Sequence, residues 1–276
     1  MSRLFSDTVH IGLYPDRVLL TRVSGGFAPR TLARHEHPVT LAPGAEPAAA
    51  ALGTLEAALQ DARWHGAKAR IVLSNSLVRY AIVPASDHLL GAADESALAL
   101  LKFQQVHGGA GEEWDIRLGN LLSGRDQIAA ALERSFVHAI REILQGAQLR
   151  LCALEPSLMR AFNRARQHIA GREFWFAQAE PGLLLLARVQ GGNWASLSAV
   201  PLDAPLSRAL PAQLREAELL AAGADVPRRV YLYAPGMDCA DCALSPDLEL
   251  VDLAKVKAMR PRAADQAHGL ATGDLR

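Results

Sequence analysis

The stretch DTVHIGLYPDRVLLTRV, residues 7–23, decides how this chain is read. Val9, Ile11 and Leu13 recur at every second position, and Val18, Leu20 and Arg22 do the same after Tyr14-Pro15-Asp16. Successive side chains of a strand point to opposite faces, so a period of two on each side of a proline-bearing turn predicts strand, turn, strand. FAPRTLARHEHPV, 27–39, reads as a third strand and completes an antiparallel meander. Whether the first hairpin handles phosphate or only builds scaffold separates an enzyme from a binding platform.

Working outward, residues 48–66 place Leu52, Leu55 and Leu59 at helical spacing with Gly66 closing the segment, and 69–74 form a short buried strand. In 77–84, Val78, Tyr80 and Ile82 alternate with Arg79 and Ala81, and Pro84 ends the strand because proline cannot donate to a ladder. Residues 92–107 read as helix, Gly108-Gly109-Ala110-Gly111 as a flexible break, and 113–119 as a strand. In 127–148, Ile128, Leu132, Phe136, Ile140 and Leu144 recur every four residues, which predicts one long helix stopped at Gly146. The strand 149–157 then enters a helix with Pro156 in its first turn and Leu158, Phe162 and Ala165 on one side.

At Gly171 the pattern restarts. Residues 173–202 give three strands with turns at Glu180-Pro181-Gly182 and Gly191-Gly192-Asn193, followed by a helix over 211–223 and a strand over 228–235. The order of elements seen near residue 8 repeats near residue 174, which suggests a duplication divided near 165–173.

Composition narrows the function. The 276 residues, half of them hydrophobic, suffice for one large or two modest domains. Twenty-nine basic residues against twenty-nine acidic ones set up no global field for nucleic acid or an anionic membrane. MSRLFSDTVH lacks the apolar core of a signal peptide, and the run GLLLLARV is broken by Arg188 well short of a membrane span. Three cysteines, Cys152, Cys239 and Cys242, cannot all pair within one chain, which fits a reducing compartment. A cytoplasmic protein is expected.

Two linked α/β halves, each opening with a meander, resemble the actin-like, ribonuclease-H-like superfamily. The branch most similar is the type IV pilus assembly protein PilM together with the cytoplasmic part of type II secretion protein L. LVRYAIVPASDHLL with its acidic helix, EEWDIRL, and IAAALERSFVHAIREILQGAQLRLCALEPSLMRAFN resemble that branch's strand, proline and helix module and the passage that closes the first half. The resemblance implies an α/β, actin-like (duplicated ribonuclease-H-like) fold. Its first half is 1–170, including a family-specific module at 77–145; a second, reduced half is 171–254, and a flexible tail is 255–276.

Nucleotide-binding members of the superfamily place Asp-x-Gly at both hairpins, the carboxylate for metal or water and the glycine for close approach to phosphate. Here the first copy reads His10-Ile11-Gly12 and continues Leu13-Tyr14-Pro15, with no carboxylate and no amide donor at Pro15. The second reads Glu180-Pro181-Gly182 before four leucines, and the adenosine position keeps only Gly236 after Pro235. Gly12, Glu180, Gly182 and Gly236 are therefore vestigial nucleotide-cleft positions. No catalytic residue and no ATP or other cofactor are expected, and His10 and Glu180 read as partly exposed strand ends.

Other constellations read blandly. Cys239-Ala-Asp-Cys242 is one pair of ligands where structural zinc needs about four, so a loop coincidence is expected. His35-Glu36-His37 has no third metal ligand and reads as an exposed strand, Ser74-Asn75-Ser76 as an ordinary turn, and Lys255, Lys257, Arg260 and Arg262 as a solvated end. No Walker loop, zincin or dinucleotide fingerprint is present. The resemblance implies a non-catalytic scaffold of a type IV pilus or type II secretion-like assembly, peripheral to the inner membrane. Its partners would be other inner-membrane components and the N-terminal tail of a PilN-like single-pass membrane protein, held in a groove near 77–107; nucleic acid is not expected, and any membrane contact is indirect. The rival readings are a divergent actin-like ATPase or phosphotransferase, and a metal- or thiol-dependent regulator built on Cys239 and Cys242.

Overall fold

The structure is a computed structural model that describes residues 6–85, 91–108, 113–119, 126–221, 226–239, 242 and 244–256. Strands β1 (Thr8–Leu13), β2 (Arg17–Val23) and β3 (Thr31–Pro38) form the expected meander. β1 pairs antiparallel with β2 at Ile11↔Leu20 and parallel with β4 (Lys68–Leu73) at Ile11↔Ile71. With β8 (Arg150–Pro156) parallel to β4, the sheet order is β3-β2-β1-β4-β8. Every residue of β1 from Val9 to Leu13 is buried, His10 included, so this central strand is covered on both faces and its period-two pattern does not mark a wet side.

Helix α1 (Pro47–Ala58) packs against β2 and β3, and α3 (Arg134–Gly146) against β8 and α1. Ala51, Leu55 and Ala58 are the residues α1 buries, while Leu52, expected on that face, stays half-exposed. The helix also ends at Ala58, before a separate 3-10 turn at Ala62–Trp64 that Gly66 follows with φ +70°.

The second sheet repeats the first. β9 (Phe174–Glu180), β10 (Leu183–Gln190) and β11 (Asn193–Pro201) form an antiparallel meander, and β12 (Arg229–Tyr233) and β13 (Glu249–Asp252) extend it in parallel, in the order β11-β10-β9-β12-β13. Two five-stranded sheets with the same order and the same pairing senses are the actin-like plan. On one face of β9, Trp175, Ala177 and Ala179 pack with Leu206, Leu210 and Leu214 of α5 (Leu206–Leu220). On the other, the Phe162 ring of α4 (Ser157–Ala165) lies 5.3 Å from Phe176 and 4.6 Å from Trp194, centroid to centroid.

A third sheet, β5-β7-β6, is built from β5 (Arg79–Val83), β6 (Trp114–Leu118) and β7 (Gln127–Glu133), and α2 (Ala92–His107) covers it through Ala99 and Phe103. Contacts divide the chain into two compact units. One holds the described residues up to Val78 with Leu132–Arg160, the other Arg79–Ala131 with those from Ala161 onward.

Several elements depart from the sequence reading. The helix expected over 127–148 is a strand, β7, up to Glu133 and a helix only from Arg134. A spacing of four is even, so Ile128 and Leu132 also lie on one face of a strand, and antiparallel pairing with β5 at Ile82↔Ile128 settles it. Gly146 ends α3 as expected, but the positive φ, +54°, belongs to Gln148. Pro156 closes β8 and does not lie in the first turn of α4. In β5 the buried side chains are Ala81 and Val83, with Tyr80 and Ile82 half-buried, the opposite parity to that expected. α5 begins at Leu206 and carries Pro211 inside it, five residues ahead of the predicted start. β13 has no counterpart in the sequence reading. Gly109, Ala110 and Gly111 of the expected break, and the tail beyond Val256, lie outside the described residues.

Candidate functional site

The first hairpin is closed by Leu13↔Val18, with Tyr14-Pro15-Asp16-Arg17 turning between them. Gly12 sits in mid-ladder, opposite Leu19 on one side and Val72 on the other, so strand pairing flanks it where phosphate would have to approach. The Tyr14 amide donates to the Arg17 carbonyl at 3.0 Å, and Pro15 has no amide to offer. Tyr14 is buried at 6 % exposure, with the Arg17 guanidinium over its ring at 5.8 Å, and Arg17 reaches Glu36 on β3 at 3.3 Å. A phosphate at this turn would meet a tyrosine ring and an occupied amide in place of a glycine-rich cradle.

The second hairpin joins Glu180 to Leu183 through Pro181-Gly182, with Gly182 at φ +79°. Proline followed by glycine at positive φ satisfies a type II turn, so the turn itself accounts for this glycine. Glu180 is 3 % exposed and its Oε1 accepts from Gln178 Nε2 at 3.3 Å, both side chains lying on one face of β9 because they are two residues apart. The expectation that His10 and Glu180 are partly exposed strand ends is corrected: both are buried, His10 at 6 %. The packing of β1 and β9 on both faces is the reason. Pro235-Gly236 repeats the same device after β12, Gly236 having φ +79° and the Met237 amide returning to the Ala234 carbonyl at 3.2 Å. Strand pairing thus occupies Gly12, and the geometry of a turn explains Gly182 and Gly236.

Ser74 caps a 3-10 turn over Asn75–Leu77, and Asn75 does more than the sequence suggests. Asn75, 3 % exposed, accepts with Oδ1 from the Leu158 amide at 2.9 Å and so satisfies one of the donors left open at the start of α4. Only a contact between residues this far apart in sequence could reveal that role.

Cys239 has a structural tie that its spacing to Cys242 does not reveal. Its thiol is buried in the core beneath α5 and donates to Asp252 Oδ2 at 3.3 Å, while Asp252 also accepts from the Ala254 amide at 2.9 Å and pairs with Lys255 at 3.3 Å. Burial first, then the Asp252 carboxylate, pushes the Cys239 thiol up to about 11, which favours the protonated thiol that ties the loop to the end of β13. The rings of His35 and His37 on β3 stand 4.2 Å apart, and His37 is held below its ordinary value by burial and by the charges of His35 and Arg63. Among the described residues no three potential metal-ligating side chains gather. Nor, among them, is any helix long and apolar enough to cross a membrane.

No protein-family model matches the sequence, and a search of curated proteins finds no match. Solved structures do match. The cytoplasmic domain of EpsL, an inner membrane component of the type II secretion system of Vibrio cholerae, superposes with a TM-score of 0.57 at 10 % identity, covering 88 % of this chain and 87 % of that one. The PilM-PilN type IV pilus biogenesis complex gives a TM-score of 0.59 at 17 % identity over 89 % of this chain and 88 % of that one. A Bacteroides thetaiotaomicron protein of unknown function with an actin-like ATPase fold gives 0.54 at 10 % identity, over 87 % of each chain. The chain is thus similar along most of its length to EpsL and PilM, and its fold is actin-like.

Proposed function

We propose that this protein is a non-catalytic cytoplasmic scaffold of a type IV pilus or type II secretion-like inner-membrane assembly, and that it binds the N-terminal tail of a PilN-like single-pass membrane protein. The observation that carries the reading is the likeness of fold, over nearly the whole chain, to EpsL and to PilM in its complex with PilN. The first hairpin supports its non-catalytic half, since Tyr14 and Pro15 stand where a phosphate cradle needs small residues and free amides. Docking belongs with the module around 77–107, where α2 turns Leu101 and Val106 outward at 51 % and 54 % exposure. Such apolar anchors on a helix suit a short amphipathic or extended tail.

Titration calorimetry of the full chain with the N-terminal tail peptide of a co-encoded PilN-like protein tests the reading. Saturable binding weakened by Leu101→Asp and Val106→Asp supports it. Absence of binding to the folded full chain, or binding indifferent to both substitutions, refutes the tail or its place respectively.

A further inference from the structure

We propose that the groove between α1 and α3 docks a basic amphipathic helix from a second protein partner. This site belongs to other residues than the membrane-tail site and does not depend on it. The groove encloses about 640 Å³, within the size range of clefts that bury a ligand or several side chains. Leu52 and Ile143 form half-exposed apolar walls, and Gly53, Ala139 and Gly146 form the low ground between the helices. Along α1 the lining runs from Ala49 to Glu56, and seven steps of helical rise make roughly 10 Å, or about two turns of an occupant helix.

Gly53 and Gly146 give the observation its weight. A glycine within a helix weakens it relative to alanine, because the backbone loses more freedom on folding. Neither residue has a positive φ, and among the described residues, its own helix backbone apart, a Cβ built on either meets nothing within 4 Å. Neither backbone conformation nor internal packing therefore calls for glycine at these two positions, one on each helix and both lining the same groove. A helix laid between them accounts for both, since small residues at the contact set how closely helix axes approach.

The charge of the lining selects the occupant. Its carboxylates are Glu56 and Glu142, His65 lines it with Nε2 held at 2.8 Å from the Leu59 carbonyl, and among the described residues no lysine or arginine lines it. Glu142 pairs with His138 at 3.2 Å and keeps a second oxygen for a further donor. A carboxylate on each helix beside an apolar trough complements a helix with one apolar stripe and flanking lysines or arginines, and charge of this kind fixes register and partner choice.

The test uses the full chain and two labelled peptides of about 14 residues, four turns of helix, built from leucine with lysine or from leucine with glutamate. Binding of the lysine peptide is expected, with amide shifts in the protein's NMR spectrum centred on Gly53 and Gly146. It is expected to weaken at least about tenfold, a loss of about 1.4 kcal/mol, in Glu56→Lys/Glu142→Lys and in Gly53→Leu/Gly146→Leu. Circular dichroism confirms that both variants fold; if one does not, the other decides. Equal binding of the glutamate peptide, unchanged affinity in the variants, or shifts centred elsewhere overturns the proposal. So does a dimer of the wild type that Gly53→Leu dissolves, which makes a second copy the occupant.

Discussion

Asn75 and Leu158, eighty-three positions apart, are joined by a buried 2.9 Å hydrogen bond from the Leu158 amide to the Asn75 carboxamide oxygen. The bond ties the turn after β4 to the start of α4 and closes a donor that the helix cannot satisfy itself. Asn75→Ala is expected to lower stability by about 1–2 kcal/mol, the range for losing a capping group that leaves a buried amide open. Urea unfolding measures it, and a change within error would mean another group supplies the acceptor.

Glycine substitutions should split by backbone conformation. Gly53→Ala, at a helical position with open space around the new Cβ, is expected to raise stability by about 0.5–1 kcal/mol. Gly182→Ala, at φ +79°, is expected to lower it by about 1–2 kcal/mol through the clash of Cβ with the backbone. Midpoints of urea unfolding at unchanged slope report both, and stabilisation at Gly182 would contradict the turn assigned there.

The Cys239 thiol should titrate late. Because its value in the fold lies above the ordinary one, at about 11 against 9.0, the fold favours the neutral thiol. That contribution is fully present below pH about 9 and is lost as pH rises through about 11. Alkylation by iodoacetamide at pH 8, followed by mass spectrometry, is expected to modify exposed Cys152 well before Cys239. Cys239→Ser, which keeps a donor toward Asp252, is expected to flatten the loss of stability between those pH values. One equivalent of zinc released by Cys239→Ser/Cys242→Ser would instead make the pair a metal site.

Magnesium-ATP is expected to leave the melting temperature unchanged at millimolar concentration. A ligand at about a hundred times its dissociation constant adds about 2.7 kcal/mol to stability, enough for a clear shift. The turn at Tyr14 and Pro15 and the buried Glu180 are the grounds. A rise of several degrees would restore the ATPase or phosphotransferase alternative.

Much of the architecture was legible in the chain alone. Tyr14-Pro15-Asp16 and Pro181-Gly182 announce their turns because proline and glycine carry backbone preferences of their own, and α2 runs over 92–107 as its sequence predicts. The restart near Gly171 foretold two sheets of one order.

What the sequence left open are matters of partnership across the chain. Residues 127–133 satisfy helix and strand alike, and β5 decides between them by supplying a ladder. β13 is four residues long and exists as a strand through its pairing with β12. Asn75 became a helix cap, and Cys239 a thiol tied to Asp252, because folding brought distant residues within hydrogen-bond reach. Local preference is written in neighbouring residues, whereas pairing and burial depend on which distant segments meet, and those the tertiary structure alone decided.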